Sequence, residues 1–159
     1  MSFGHLNHGK PPLEVTVVTG ASSDIVEFTV GGAIAAGDVV AFDVAGQTGE
    51  AQTQVVIQAA TSSAAAIGVA VEAITAAQVT AAAADGVDLY VRVCIAGYIE
   101  GVNAAGGAGL AQGDPVVMSG ATAGCVNISA AGSITPVLGV ALDPETVANT
   151  VTLYLFRQL

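Results

Sequence analysis

Tryptophan is absent from this 159-residue chain, and aromatic residues of any kind make up 4% of it. That scarcity speaks against a carbohydrate-binding platform, which stacks sugar rings on exposed aromatic faces. Positive charge is nearly missing too. Lys10, Arg92 and Arg157 are the only fixed cations beside 13 acidic residues, for a formal net charge of -10, so no direct nucleic-acid partner is expected. Charged residues of both signs reach 10%, against roughly 25% in an average soluble protein; something other than charge must cover the surface. Two cysteines, Cys94 and Cys125, make no disulfide framework. They read as two buried small hydrophobes, with a single pair as the alternative, and they leave the redox compartment open.

Long apolar runs are lacking as well, although the mean hydropathy is +0.71. A helical membrane span needs about 18 or more consecutive apolar residues. The uncharged stretch 51–71 is interrupted by Gln52, Thr53, Gln54, Gln58 and the hydroxyls of 61–63, and the stretch 115–142 by Pro115, Pro136, several glycines and Asn127. Residues 1–10 hold no apolar signal-peptide core. The expectation is a soluble protein with no membrane partner and no secretion address.

What the chain does have is small residues and repetition. Ile34-Ala35-Ala36-Gly37-Asp38-Val39-Val40-Ala41-Phe42 returns as Leu110-Ala111-Gln112-Gly113-Asp114-Pro115-Val116-Val117-Met118. Ile67-Gly68-Val69-Ala70 recurs as Leu138-Gly139-Val140-Ala141, and Val87-Asp88-Leu89-Tyr90-Val91 is matched to Val151-Thr152-Leu153-Tyr154-Leu155. Three matches in one order indicate a duplicated β-unit. Strands are predicted at 13–18, 25–30, 39–44, 54–59, 67–74, 87–95, 115–118, 124–128, 137–142 and 150–157, with turn clusters between them. The clearest is 87–95, where Val87, Leu89, Val91, Val93 and Ile95 alternate with polar or smaller residues. Residues 19–24 are expected to turn and 97–109 to form a glycine-and-alanine loop. The alanine-rich segment 75–84 suits a short helix or a loop insertion equally, because alanine sets propensity without specifying a face. The fold class is therefore all-β: a compact β-barrel or β-sandwich-like domain over 14–159, with repeat halves at about 31–100 and 107–159 and at most one short helix. Residues 1–13, with Pro11-Pro12, form an extended arm.

Reactive constellations are hard to find. Both histidines, His5 and His8, fall in the arm, away from any serine or cysteine on a predicted strand, so a nucleophile-histidine pair has no basis. The spacing of the two histidines offers two metal ligands at most, with Glu14 the only local carboxylate. Asp38 and Asp114 sit at equivalent positions after Gly37 and Gly113, where a short carboxylate bonds turn amides; these four are read as structural turns. Asp143-Pro144-Glu145 lacks the alternating oxygens of a calcium loop. Gly106-Gly107-Ala108-Gly109 is not followed by the Lys-Ser/Thr of a phosphate cradle. Asn127-Ile128-Ser129 matches a glycosylation acceptor without a secretion signal to accompany it. Arg92 and Arg157 are expected to partner acidic groups. No enzyme activity, cofactor or metal is expected.

The motifs of 35–40, 67–70 and 87–91, with their second-half counterparts, resemble the capsid decoration (cement) proteins of tailed bacteriophages in their rhythm, their Ala/Gly/Val/Thr content and their acidic charge. The resemblance covers about 31–156; the alanine-rich 75–84 departs from the pattern. It implies a homotrimeric structural protein of the virion, assembled in the host cytoplasm, that sits on the outer capsid surface. There it stabilises contacts between major capsid proteins. The arm, with His5, Asn7, His8, Lys10 and Leu13, would contact the capsid, adding a strand to an exposed sheet edge and gaining avidity from many weak attachments. The alternative is a carbohydrate-binding or adhesive β-domain of a fibre or surface protein.

Overall fold

The computed structural model describes residues 23–63, 65–130 and 136–157. The expected arm and the strand at 13–18 lie outside the described residues. Of the expected turn at 19–24, Ser23 and Asp24 belong instead to the first strand.

The protein is all-β, as its alternating Val, Ile and Thr residues require. The strands are β1 (Ser23–Val30), β2 (Val39–Phe42), β3 (Val55–Gln58), β4 (Ala66–Ala70), β5 (Tyr90–Asn103), β6 (Pro115–Met118), β7 (Val126–Ile128), β8 (Val137–Ala141) and β9 (Thr150–Leu155). Among the described residues there is one α-helix, α1 (Ala76–Asp85), and one short 3-10 turn at Gly49–Thr53.

Strands β1-β3-β2-β4-β5 are neighbours in that order, and β1 pairs again with β5, closing a five-stranded barrel. Strand β5 does not stop where its alternation was predicted to end. It runs on through Gly97 and Gly101, both at positive φ, and pairs with β9. The glycine-rich segment read as a loop is thus strand as far as Asn103. Gly101 lies in the register shift between Ile99 and Val102, and both glycines hold backbone angles that only glycine takes without strain. Beyond β9 the order continues β8-β6-β7, and a parallel bridge from Ala104 to Val126 brings β7 back beside the end of β5. The second half repeats the ring, and the two rings share β5.

Registers make the duplication explicit. Val39, Val40 and Ala41 oppose Val69, Gly68 and Ala66, with an irregularity after Val40. Pro115, Val116 and Val117 oppose Val140, Gly139 and Val137, with the same irregularity after Val116. The third sequence match needs correction. Ala70 opposes Val93 and Ala141 opposes Leu153, so Val91, Val93 and Ile95 are the counterparts of Val151, Leu153 and Leu155. Residues 87–89 precede β5, and Leu89 answers to Asn149 instead of Leu153: Leu89 O accepts from Val30 N as Asn149 O accepts from Ala104 N. The Leu-Tyr pair that suggested the alignment coincides by letter and not by register.

Interior residues follow the same equivalence. The first barrel encloses Phe28, Ile34, Val40, Val56, Ile67, Ala70, Val91, Val93 and Ile95. Their counterparts Val102, Leu110, Val116, Val126, Leu138, Ala141, Val151, Leu153 and Leu155 are all buried in the second. Where the halves differ is α1, inserted between β4 and β5. Its start is fixed by a capping box in which the Thr75 side chain accepts from the Gln78 amide and Gln78 Oε1 accepts from Thr75 N at 2.8 Å. Its end is closed by Gly86 in the left-handed region. Val79 packs against the first barrel's interior cluster.

Gly68 and Gly139 are equivalent, and each has its backbone against a carbonyl of the next strand. A Cβ at Gly68 would lie 2.3 Å from the Cys94 oxygen, and one at Gly139 2.3 Å from the Tyr154 oxygen. We expect Gly68→Ala and Gly139→Ala each to destabilise the protein by about 1–3 kcal/mol, the usual cost of forced overpacking. Chemical denaturation checks this; either substitution without effect would show that the strands can move apart freely.

Candidate functional site

The turn residues singled out from the sequence occupy two unequal positions. In both, the glycine amide donates to β4 or β8, from Gly37 N to Ala70 O at 2.9 Å and from Gly113 N to Ala141 O at 2.8 Å. In both, the aspartate caps its own turn: Asp38 Oδ2 accepts from Ala35 N at 2.9 Å and Asp114 Oδ2 from Ala111 N at 2.8 Å. There the likeness ends. Asp114 is half-buried, whereas Asp38 is 4% exposed and takes two further bonds. Its Oδ2 accepts from Gln58 Nε2 at 2.8 Å and its Oδ1 from Asn103 Nδ2 at 2.9 Å.

The Gln58 bond comes from the end of β3 in the same barrel, whereas the Asn103 bond crosses from one barrel to the other. Asn103 closes β5 on the second barrel's side, and it also donates Nδ2 to Ala36 O and its backbone N to Gly37 O. Gly124, between β6 and β7, accepts from Val39 N at 2.7 Å and donates to Ala59 O at 2.9 Å. A side chain there would strike Gln58 and the Asp38 carboxylate, at 2.7 and 2.9 Å. At Gly37 a Cβ would fall 2.1 Å from Gly101 O. A buried carboxylate is tolerated only when its lone pairs are met, and at this junction an amide and two side-chain amides meet them. Sequence reasoning identified the aspartate but not Gln58 or Asn103, because Asn103 lay in the segment read as a loop.

The junction also buries the outer wall of the first barrel. Val39, Ala41, Val69 and Cys94 point away from the first barrel's interior and join the hydrophobic cluster of the second. A small apolar cleft on the same seam is lined by Gly68, Val69, Ile95, Leu138, Leu155 and Phe156. Among the described residues nothing comparable covers the equivalent wall of the second barrel. There Tyr98, Tyr154, Val140 and Pro115 form one cross-strand row over β5, β9, β8 and β6. Tyr154 is 46% exposed, and its ring meets Phe156 edge to face at 6.5 Å.

Charge on the described surface is almost wholly negative. Arg92 forms a two-pronged pair with Glu72, from Nε to Oε1 at 3.2 Å and from Nη2 to Oε2 at 3.3 Å. Those bonds hold the Glu72 carboxyl below its usual range. Arg157 is paired with Asp24 across the two barrels. Both arginines thus partner acidic groups, as expected from the sequence. Asp143 accepts from Thr152 N at 2.7 Å and Oγ1 at 2.6 Å, while Glu145 accepts from Gly109 N at 2.8 Å.

Cys94 and Cys125 are free thiols. Burial pushes Cys94 up to about 11, and burial followed by the charge of Asp38 raises Cys125. Among the described residues no group of three or more His, Cys, Asp or Glu side chains is placed to hold a metal ion. None of the described helices is long and apolar enough to cross a membrane. The residues named for the arm, His5, Asn7, His8, Lys10 and Leu13, lie outside the described residues. No protein-family model and no curated protein matches the chain.

Two expectations follow. Asp38→Ala strands three donors at the junction and should cost about 2–4 kcal/mol, whereas Asp114→Ala removes one turn bond and should cost about 1 kcal/mol; urea unfolding of the two variants side by side reads the difference. Cys94, held as the thiol far above pH 8, should be alkylated at that pH about two orders of magnitude more slowly in the folded protein than in urea. Mass spectrometry of iodoacetamide-treated peptides follows it, and equal rates would contradict its burial.

Proposed function

We propose that this chain is a structural virion protein: a decoration protein that binds the outer surface of a tailed-phage capsid as a homotrimer and stabilises contacts between major capsid proteins. One observation carries the reading. The residues that resemble the decoration-protein rhythm are the joints of the fold itself. Gly37-Asp38 and Gly113-Asp114 hold the strands, and Gly68 and Gly139 set how closely they approach. The resemblance therefore lies in architecture-determining positions and not in incidental small residues. What the repeats build is a rigid pair of barrels with an acidic surface, suited to bracing neighbours through shape and many weak contacts. The arm, 1–13, supplies the grip on the capsid, with His5, Asn7, His8, Lys10 and Leu13 as its contacts.

The carbohydrate-binding alternative gains nothing from the exposed aromatics. Tyr154 and Phe156 meet edge to face at 61° and so form no continuous flat platform for a row of sugar rings.

The full-length protein, mixed with undecorated capsids, should co-sediment with them and raise the temperature at which they break open. Alanine at His5, His8 and Lys10 together should weaken co-sedimentation without lowering the protein's own melting temperature. Absence of co-sedimentation by the intact chain would sink the proposal.

A further inference from the structure

The contact that joins the two barrels is a mouth set against a wall. At the mouth of the second barrel are Ile99 and Met118, both buried in the cluster that holds Val39, Val69 and Cys94 of the first barrel's wall. Register identifies the corresponding features on the other barrel of each kind. Val26 opposes Val93 as Ile99 opposes Leu153, and Phe42 opposes Val56 as Met118 opposes Val126. The mouth of the first barrel is therefore marked by Val26 and Phe42. Val26 is 38% exposed and Phe42 half-buried. The wall row Ile25, Cys94, Val69 and Val39 has as its counterpart Tyr98, Tyr154, Val140 and Pro115.

The chain thus carries one mouth-on-wall contact inside itself, which buries Cys94, Val69 and Val39 and leaves Ile25 at its edge 43% exposed; among the described residues one mouth and one wall at its two ends have no such cover. That wall has not become polar. Each member of the row is apolar or aromatic, and a contiguous patch of that kind is uncommon on a surface that meets only water. We propose that copies of this chain associate head to tail, the first barrel's mouth of one copy seated on the Tyr98-Tyr154-Val140-Pro115 wall of the next. The occupant is read from the molecule: the only element seen to cover such a wall among the described residues is a mouth built from the same five-strand unit. The fit is not a perfect copy. The β2–β3 connection, from Phe42 to Val56, is longer than its counterpart from Met118 to Val126, and it presents the exposed Val44 beside the mouth.

An interface that joins different surfaces on the two partners is heterologous; it closes into a ring when its rotation divides a full turn and otherwise runs on as a filament. This inference deepens the self-association in the proposed function but stands on the barrel geometry, so it can fail while capsid binding survives, and the reverse. Glu27 and Asp43 flank the mouth and Glu100 and Asp114 the wall, so acidic groups face one another and added salt should favour association.

Light scattering on the full-length protein should give three or more times the single-chain mass of 15.5 kDa, rising with salt. Tyr154→Asp should give a monomer with an unchanged melting temperature, and so should Val26→Asp, or Val44→Asp should the mouth variant fold poorly. The decisive sample is an equal mixture of a wall variant and a mouth variant. Each retains the surface that the other lacks, so the mixture should form a dimer and nothing larger. A monomeric unaltered chain overturns the inference and leaves the wall to residues 1–22 or to another partner. So does a Tyr154→Asp protein of unaltered mass, a mouth variant that still dimerises alone, or dissociation by salt.

Discussion

A single buried carboxylate, that of Asp38, stands at the centre of the contacts by which the two barrels meet. An acid removed from water must find donors for its oxygens, and this one finds them in its own turn, on β3, and at the end of the strand that belongs to both rings. The glycines around it follow from that demand. Gly37 and Gly124 are small because the backbone and the carboxylate must come within reach of their partners. Asp114 shows what the same turn does without a neighbour to hold: it caps, and nothing more. One of two sequence-identical dipeptides has been recruited from local turn chemistry into tertiary structure.

Much of the fold was legible in the chain. Period-2 alternation located most strands to within a few residues, and the Gly-Asp and Gly-Val repeats revealed the duplication because a turn and a close strand approach each demand glycine. Two features were misread for physical reasons. Glycine-rich 97–109 looked like a loop, since Gly97 and Gly101 are poor strand formers, yet their positive φ lets one strand bend out of the first ring and into the second. The match of 87–91 to 151–155 followed side-chain letters, whereas the barrel is ordered by register. The helix was left open although Thr75 and Gln78 stand at capping-box spacing, a local signal that alanine content obscured.

The site was less legible than the fold. The turn aspartates were visible, but what distinguishes them, Gln58 and Asn103, lies far away in sequence. The wall could not be read from composition at all: Tyr98, Val140 and Tyr154 look like ordinary strand residues until the registers place them in one row and the counterparts of Val140 and Tyr154, Val69 and Cys94, are found buried. The surfaces of this chain are unequal although the units beneath them are alike.

Sharing β5 has a mechanical meaning. Two domains joined by a linker can tilt, and two domains joined by side chains alone can slide. Here the last stave of one barrel is the first stave of the other, so a load applied to either is carried into its neighbour along covalent backbone. The pair deflects as one beam, and neither half can be pried open while its twin stays whole.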